Sequence, residues 1–183
     1  MSTFQKTINL LLDDGTLNGM VDVIDNKWQN GELFSCPREK IDDLLAKPEI
    51  NRYGVYLLIS QDKVYVGQSS NLKARITQHI VGKDWWERAV VLTTQNDSFN
   101  KSDIDYLESV LIQKSTACGT LDSDNKNKGN KKKLINLGSR LWMNMSKRPC
   151  SFFSLLVFLC SRPRITSHRS LKRFLQLIRR QWN

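Results

Sequence analysis

Residues 53–79 read YGVYLLISQDKVYVGQSSNLKARITQH, and the fold turns on how this stretch is parsed. Val55 to Ile59 is a short apolar run and Lys63 to Val66 is another. The turn from Ser60 to Lys63 between them is short enough to favour an antiparallel hairpin. Side chains alternate along each strand, so Tyr56 shares a face with Leu58, while Tyr65 faces away from Val64 and Val66. Whether the two phenols converge depends on the pairing register, which the sequence leaves open. Gly54 and Gly67 remove bulk beside each tyrosine, which suits the close approach of a backbone, a neighbouring element or a phosphate. Ser69, Ser70 or Asn71 can cap a following helix, with Leu72, Ile76 and Ile80 as its buried stripe and Gly82 as its stop. Arg75 and His79 lie four residues apart on a neighbouring face of that helix, one above the other. Taken alone, they read as exposed residues of an ordinary helix.

Working outward, Trp85 and Trp86 read as packing residues rather than base-stacking platforms, and Ala89 to Thr93 reads as a third strand. A second helix is expected from Ser102 to Ala117, with Ser102 and Asp105 spaced as a capping box and Gly119 past its end. On its wheel Ile104, Leu107 and Leu111 cluster, with Ile112 on the flank. Glu108 falls between Ile104 and Ile112. A carboxylate on an apolar side costs free energy unless it is paired, hydrogen-bonded or bound to a metal.

Upstream, turn signals at Asp13-Asp14-Gly15, Asn18-Gly19 and Asn30-Gly31 separate candidate strands at Thr7 to Leu12, Met20 to Ile24 and Glu32 to Phe34. Pro37 fits a first helical turn, Ile41, Leu44 and Leu45 make a stripe, and Pro48 is expected to stop that helix. Asp13-Asp14 and Asp42-Asp43 read as solvated carboxylates, not metal ligands. The fold class expected is α+β: a small, mainly antiparallel three-stranded sheet (Val55 to Ile59, Lys63 to Val66, Ala89 to Thr93) flanked by helices. Residues 1–49 would be a β-rich accessory segment, residues 50–127 the main domain, and residues 128–183 a basic tail.

A glycine and a tyrosine in each of two short strands, followed by a helix with an arginine ten residues after the second tyrosine, form a specific arrangement. It resembles the GIY-YIG nuclease domain, with Gly54-Val55-Tyr56 in the first half of the motif and Tyr65-Val66-Gly67 in the second. The likeness covers roughly residues 50 to 127. The resemblance implies a metal-dependent endonuclease cutting DNA phosphodiester bonds, with Tyr56, Tyr65, Arg75, His79 and Glu108 as its catalytic set. It implies Glu108 as the ligand of Mg²⁺ or Mn²⁺, Arg75 and His79 as phosphate contacts, and Asn125 or Asn127 as the late asparagine at the nucleic-acid site. Gln68 departs from the lysine that some members carry after the second glycine, so that charge is missing beside the second tyrosine. The alternative is a nucleic-acid-binding module of the same fold that has lost turnover.

Charge is unevenly distributed. Of 28 lysines and arginines, 13 lie in residues 1–125 together with all 18 acidic residues, giving that part a net charge of −5. Residues 126–183 carry a net +15 and no acid. The acidic balance of the first part argues against tight non-specific DNA binding by it alone. Three readings of the tail stand side by side: a segment tracking a phosphate backbone, a helix (Leu171, Phe174, Leu175, Ile178, Trp182) lying on an anionic membrane, or an out-of-frame ending beginning near Lys131-Lys132-Lys133. The lysine run and the lack of any acid in the last 58 residues favour the last. The run Phe152 to Cys160 is well short of the ~20 residues that span a bilayer. The four cysteines have no close metal-type spacing and no cleavable leader is recognisable, so a cytoplasmic protein with reduced thiols is expected.

Overall fold

The computed structural model describes residues 8–16, 18–25, 31–118 and 121–125. Three strands come first, β1 (Ile8–Leu12), β2 (Val21–Asp25) and β3 (Gly31–Pro37). A 3₁₀ turn at Arg38–Lys40, helix α1 (Ile41–Ala46) and a second 3₁₀ turn at Pro48–Asn51 lead to the hairpin β4 (Gly54–Ile59) and β5 (Lys63–Ser69). Then follow α2 (Leu72–Gly82), β6 (Arg88–Thr94), α3 (Lys101–Cys118) and the short β7 (Asp122–Ser123). Residues 128–183, and with them every expectation about the tail, lie outside the described residues, as does the Thr7 start of the first strand.

The α+β class is as expected, but the three-stranded antiparallel sheet is corrected. Among the described residues, seven strands form one sheet in the order β1-β2-β3-β6-β4-β5-β7. The expected trio is present as β6-β4-β5, all antiparallel, while β7 adds a parallel pair to β5. The reason lies in β6, which has two edges. One takes β4, and the other takes β3 along its whole length, from Gly31 opposite Thr94 to Pro37 opposite Arg88. Partners more than fifty residues apart leave no local trace in the sequence. Pro48 also does not simply stop a helix. It occupies the first position of the second 3₁₀ turn, where its missing N–H has no role to lose.

Because β4 and β6 are interior strands with helices over both faces, they are apolar almost without alternation. On one face Val55, Leu57, Val66 and Val90 pack beneath Ile104, Leu107, Leu111 and Ile112 of α3. On the other, Phe34, Tyr56, Leu58 and Val91 pack beneath Ile41 and Leu44 of α1 and Leu72 and Ile76 of α2. Asn71 caps α2, its Oδ1 accepting from the Ala74 N–H at 2.9 Å. The capping box of α3 lies two residues earlier than expected. Asn100 Oδ1 accepts from the N–H groups of Ser102 and Asp103, and Asp103 Oδ2 accepts from the Asn100 N–H. Asp105 is engaged elsewhere, as described below.

Two carboxylates sit inside the sheet away from the β4–β5 hairpin. Asp22 and Glu32 are each only 7% exposed. Asp22 Oδ1 and Glu32 Oε2 have no hydrogen-bond partner among the described residues. Burial raises the pKa of both, that of Glu32 to about 7, and the Asp22 charge adds to the rise at Glu32. With a folded-state pKa above the unfolded value of 4.5, the native state binds the Glu32 proton more tightly. Its contribution to stability is therefore full below pH 4.5 and is lost as pH rises through about 7. Glu32→Gln, which keeps the neutral shape, is expected to stabilise the protein at pH 8 by on the order of 3 kcal/mol and to have little effect at pH 4. Thermal unfolding at both pH values checks this, and a difference independent of pH would contradict it.

Candidate active site

The register of the hairpin settles what the sequence left open. Tyr56 pairs with Gly67 and Leu58 with Tyr65, so both phenols lie on the face covered by α2. Their ring centroids are 6.2 Å apart. Each motif glycine makes room for something specific. A Cβ on Gly67 would overlap the Tyr56 hydroxyl, and a Cβ on Gly54 would collide with the Leu92 carbonyl and the Leu72 side chain. The first tyrosine thus rests on the second glycine, and the first glycine lets β6 and α2 close in. Tyr56 is fully buried, whereas Tyr65, nearer the sheet rim, is partly exposed.

Helix α2 delivers Arg75 and His79 to the same place. The His79 ring lies 5.5 Å from the Tyr56 ring and 5.3 Å from the Tyr65 ring. His79 Nε2 and the Tyr56 hydroxyl are 2.7 Å apart, and one proton bridges them. Burial, with the Arg75 and Lys83 charges adding to it, lowers the His79 pKa to about 4, so the imidazole is neutral at pH 7. Burial also raises the Tyr56 pKa, with Tyr65 adding to the rise and Arg75 opposing it. Arg75 is exposed and donates to Gln78 Oε1 at 2.8 Å. Its pKa is raised chiefly by Tyr56, and Tyr65 contributes as well, so the guanidinium stands as the cation of this cluster facing solvent.

Glu108 comes from the other layer. It is half-buried on α3, which packs on the opposite face of the sheet. Burial raises its pKa, with Lys101 opposing and Asp105 reinforcing. The carboxylate has no hydrogen-bond or ion-pair partner among the described residues. One turn before it, Asp105 accepts a 2.9 Å hydrogen bond from Gln68 Nε2 of β5 and pairs with Lys101 at 2.5 Å. Tyr56, Tyr65, Arg75 and His79 therefore gather on one side of β5, and Glu108 sits on the helix that Gln68 ties to its other side.

Asn125 lies on the outer edge of that strand. Its Oδ1 accepts from the Val66 N–H at 2.9 Å and its Nδ2 donates to the Val66 carbonyl at 2.6 Å. Both ends of the amide thus bind the backbone between the two motif residues Tyr65 and Gly67. Asn127 lies outside the described residues. Sequence reasoning missed Asp105 as the partner of Gln68, and it missed Lys83, whose Nζ lies 4.4 Å from the Tyr65 ring centroid. No local pattern flags either one, since the first contact spans two elements and the second follows a helix stop. Trp86 is buried and donates its indole N–H to the His79 carbonyl at 3.4 Å, which agrees with a packing role.

Strands β4 and β5 and helix α2 thus bring two phenols, a neutral imidazole and a guanidinium into one cluster. Residues 52–121 match the GIY-YIG catalytic domain, an endonuclease family, and over that span the chain is similar to it. Asn125 falls just past the matched residues. Comparison with curated proteins and with solved structures gives no match. No helix among the described residues is long and apolar enough to cross a membrane.

The state of His79 is directly measurable. An NMR pH titration of its imidazole is expected to show a midpoint near 4, and Arg75→Gln should move it upward by removing a cation. A wild-type midpoint at the ordinary 6.5 would contradict the buried, neutral imidazole.

Proposed function

We propose that this chain is a divalent-metal-dependent endonuclease that hydrolyses DNA phosphodiester bonds at the rim formed by β5. The observation that carries the reading is the Tyr56–His79 hydrogen bond, buried and facing Tyr65 and Arg75. Hydrolysis requires a water to lose a proton, an anionic phosphorus centre to be stabilised, and a leaving oxygen to be helped away. Tyr65, the phenol with solvent access, orients the water. Tyr56 and His79 behind it form the proton relay, with the neutral imidazole as acceptor. Arg75 forks onto a non-bridging phosphate oxygen, a geometry its planar donors suit.

Glu108 is the residue proposed to hold Mg²⁺ or Mn²⁺, and the fit rests on its carboxylate being half-buried with no partner among the described residues. Those residues include no group of three or more metal-ligating side chains. A site with a single carboxylate suits a cation that keeps most of its water, as Mg²⁺ does. Such an ion supplies Lewis-acid stabilisation of charge on the leaving oxygen. Every other role falls to the side chains above. The separation of Glu108 and the phenols onto opposite faces of the sheet favours a second reading, a DNA-binding module of the same fold without turnover.

Cleavage of supercoiled plasmid in Mg²⁺ distinguishes the two. The wild-type chain should nick it, EDTA should stop it, and Glu108→Ala and Arg75→Ala should each lower the rate by about 100-fold or more. Unchanged rates in both variants would contradict the site assignment. A chain that binds DNA but cuts none would favour the binding module.

A further inference from the structure

The position after Gly67 carries no charge, because Gln68 is neutral and turns away to Asp105 on the opposite face. A cation reaches Tyr65 from elsewhere. Lys83 follows the last residue of α2, and its backbone N–H still donates to the His79 carbonyl at 3.0 Å. Arg38 fixes this end of the helix by donating to the carbonyls of Ile80 and Lys83 at 3.0 and 2.9 Å. From there the Lys83 side chain lays its ammonium 4.4 Å from the Tyr65 ring centroid and 5.6 Å from the Trp85 ring centroid. Asp124 pairs with the same ammonium. Asp124 is itself anchored, its N–H donating to the Val64 carbonyl of β5 at 2.9 Å. The Lys83 side chain is 22% exposed and that of Asp124 38%, so the ammonium is the more sheltered half of the pair.

We infer that Lys83 is a positioning residue for the reaction. Held by Asp124 over the face of Tyr65, it fixes the ring that orients the attacking water. A cation over an aromatic face is attracted by the ring's quadrupole, and the attraction grows as water is excluded. The Tyr65 ring that it covers lies 5.3 Å from the His79 ring, so its place bears on the geometry of the whole cluster. The cation at Tyr65 thus comes from the end of a helix, eighteen residues further along the chain.

This inference rests on the nuclease reading, and plasmid cleavage kinetics separate the two. Lys83→Met, which keeps the stem and removes the charge, is expected to lower kcat by about 10- to 100-fold with KM within about twofold. Lys83→Arg should restore most of kcat, because a guanidinium also stacks on an aromatic face. Lys73→Met, at an exposed lysine of the same helix, should leave kcat unchanged. Thermal unfolding of each variant confirms that folding is intact. An active wild type with Lys83→Met at the same kcat, or a loss that Lys83→Arg does not rescue, overturns the inference alone. A loss in Lys73→Met equal to that in Lys83→Met also overturns it, since it would report bulk charge. An inert wild type overturns the nuclease reading and this inference with it.

Discussion

The contact on which the site depends is the Tyr56 hydroxyl seated on Gly67 and hydrogen-bonded to His79. It joins three elements at a single oxygen. β4 supplies the phenol, β5 supplies the space, and α2 supplies the nitrogen. A side chain at position 67 would push the hydroxyl off its seat and away from His79. A slip of the hairpin by one residue would send Tyr65 to the α3 face, since strand side chains alternate. The tyrosines and glycines are thus one packing device, and the polar cluster is its product.

Strand β5 carries the consequences outward. It runs along the end of the seven-stranded sheet, with β7 covering only Lys63 and Val64. Beyond them Asn125 takes both backbone groups of Val66, which keeps an otherwise exposed edge in register without adding another strand. On one face stand the phenols, His79 and Arg75. On the other, Gln68 binds Asp105 one turn before Glu108. The proposal of a shared site places its substrate at the rim of β5, with the α2 groups on one side and α3 on the other.

What was legible in the sequence was local. The hairpin, the Asn71 cap, the stripe of Leu72 and Ile76, and the placing of Glu108 between Ile104 and Ile112 all follow from periodicity and turn chemistry within about twenty residues. Tyr56, Tyr65, Arg75 and His79 are grouped by family likeness; the register puts the two phenols on one face, and α2 sets His79 and Arg75 beside them. What escaped was non-local. The pairing of β3 with β6 joins segments that carry no mark of each other. Gln68 read as a missing lysine because its partner Asp105 is on another helix. Lys83 read as the residue after a helix stop because only the folded chain turns it back over Tyr65. The α3 cap moved to Asn100 for a related reason, since Asp105 has a tertiary partner that a capping-box reading does not anticipate.

The central proposal, a divalent ion at Glu108 serving the phenols across the rim, is most directly tested by crystals soaked in Mn²⁺ and an anomalous difference map. The expected result is a peak bonded to the Glu108 carboxylate, on its side toward Tyr65 and Arg75. A map with no peak at Glu108, or with the ion bound elsewhere while Glu108 points away from the rim, would contradict it.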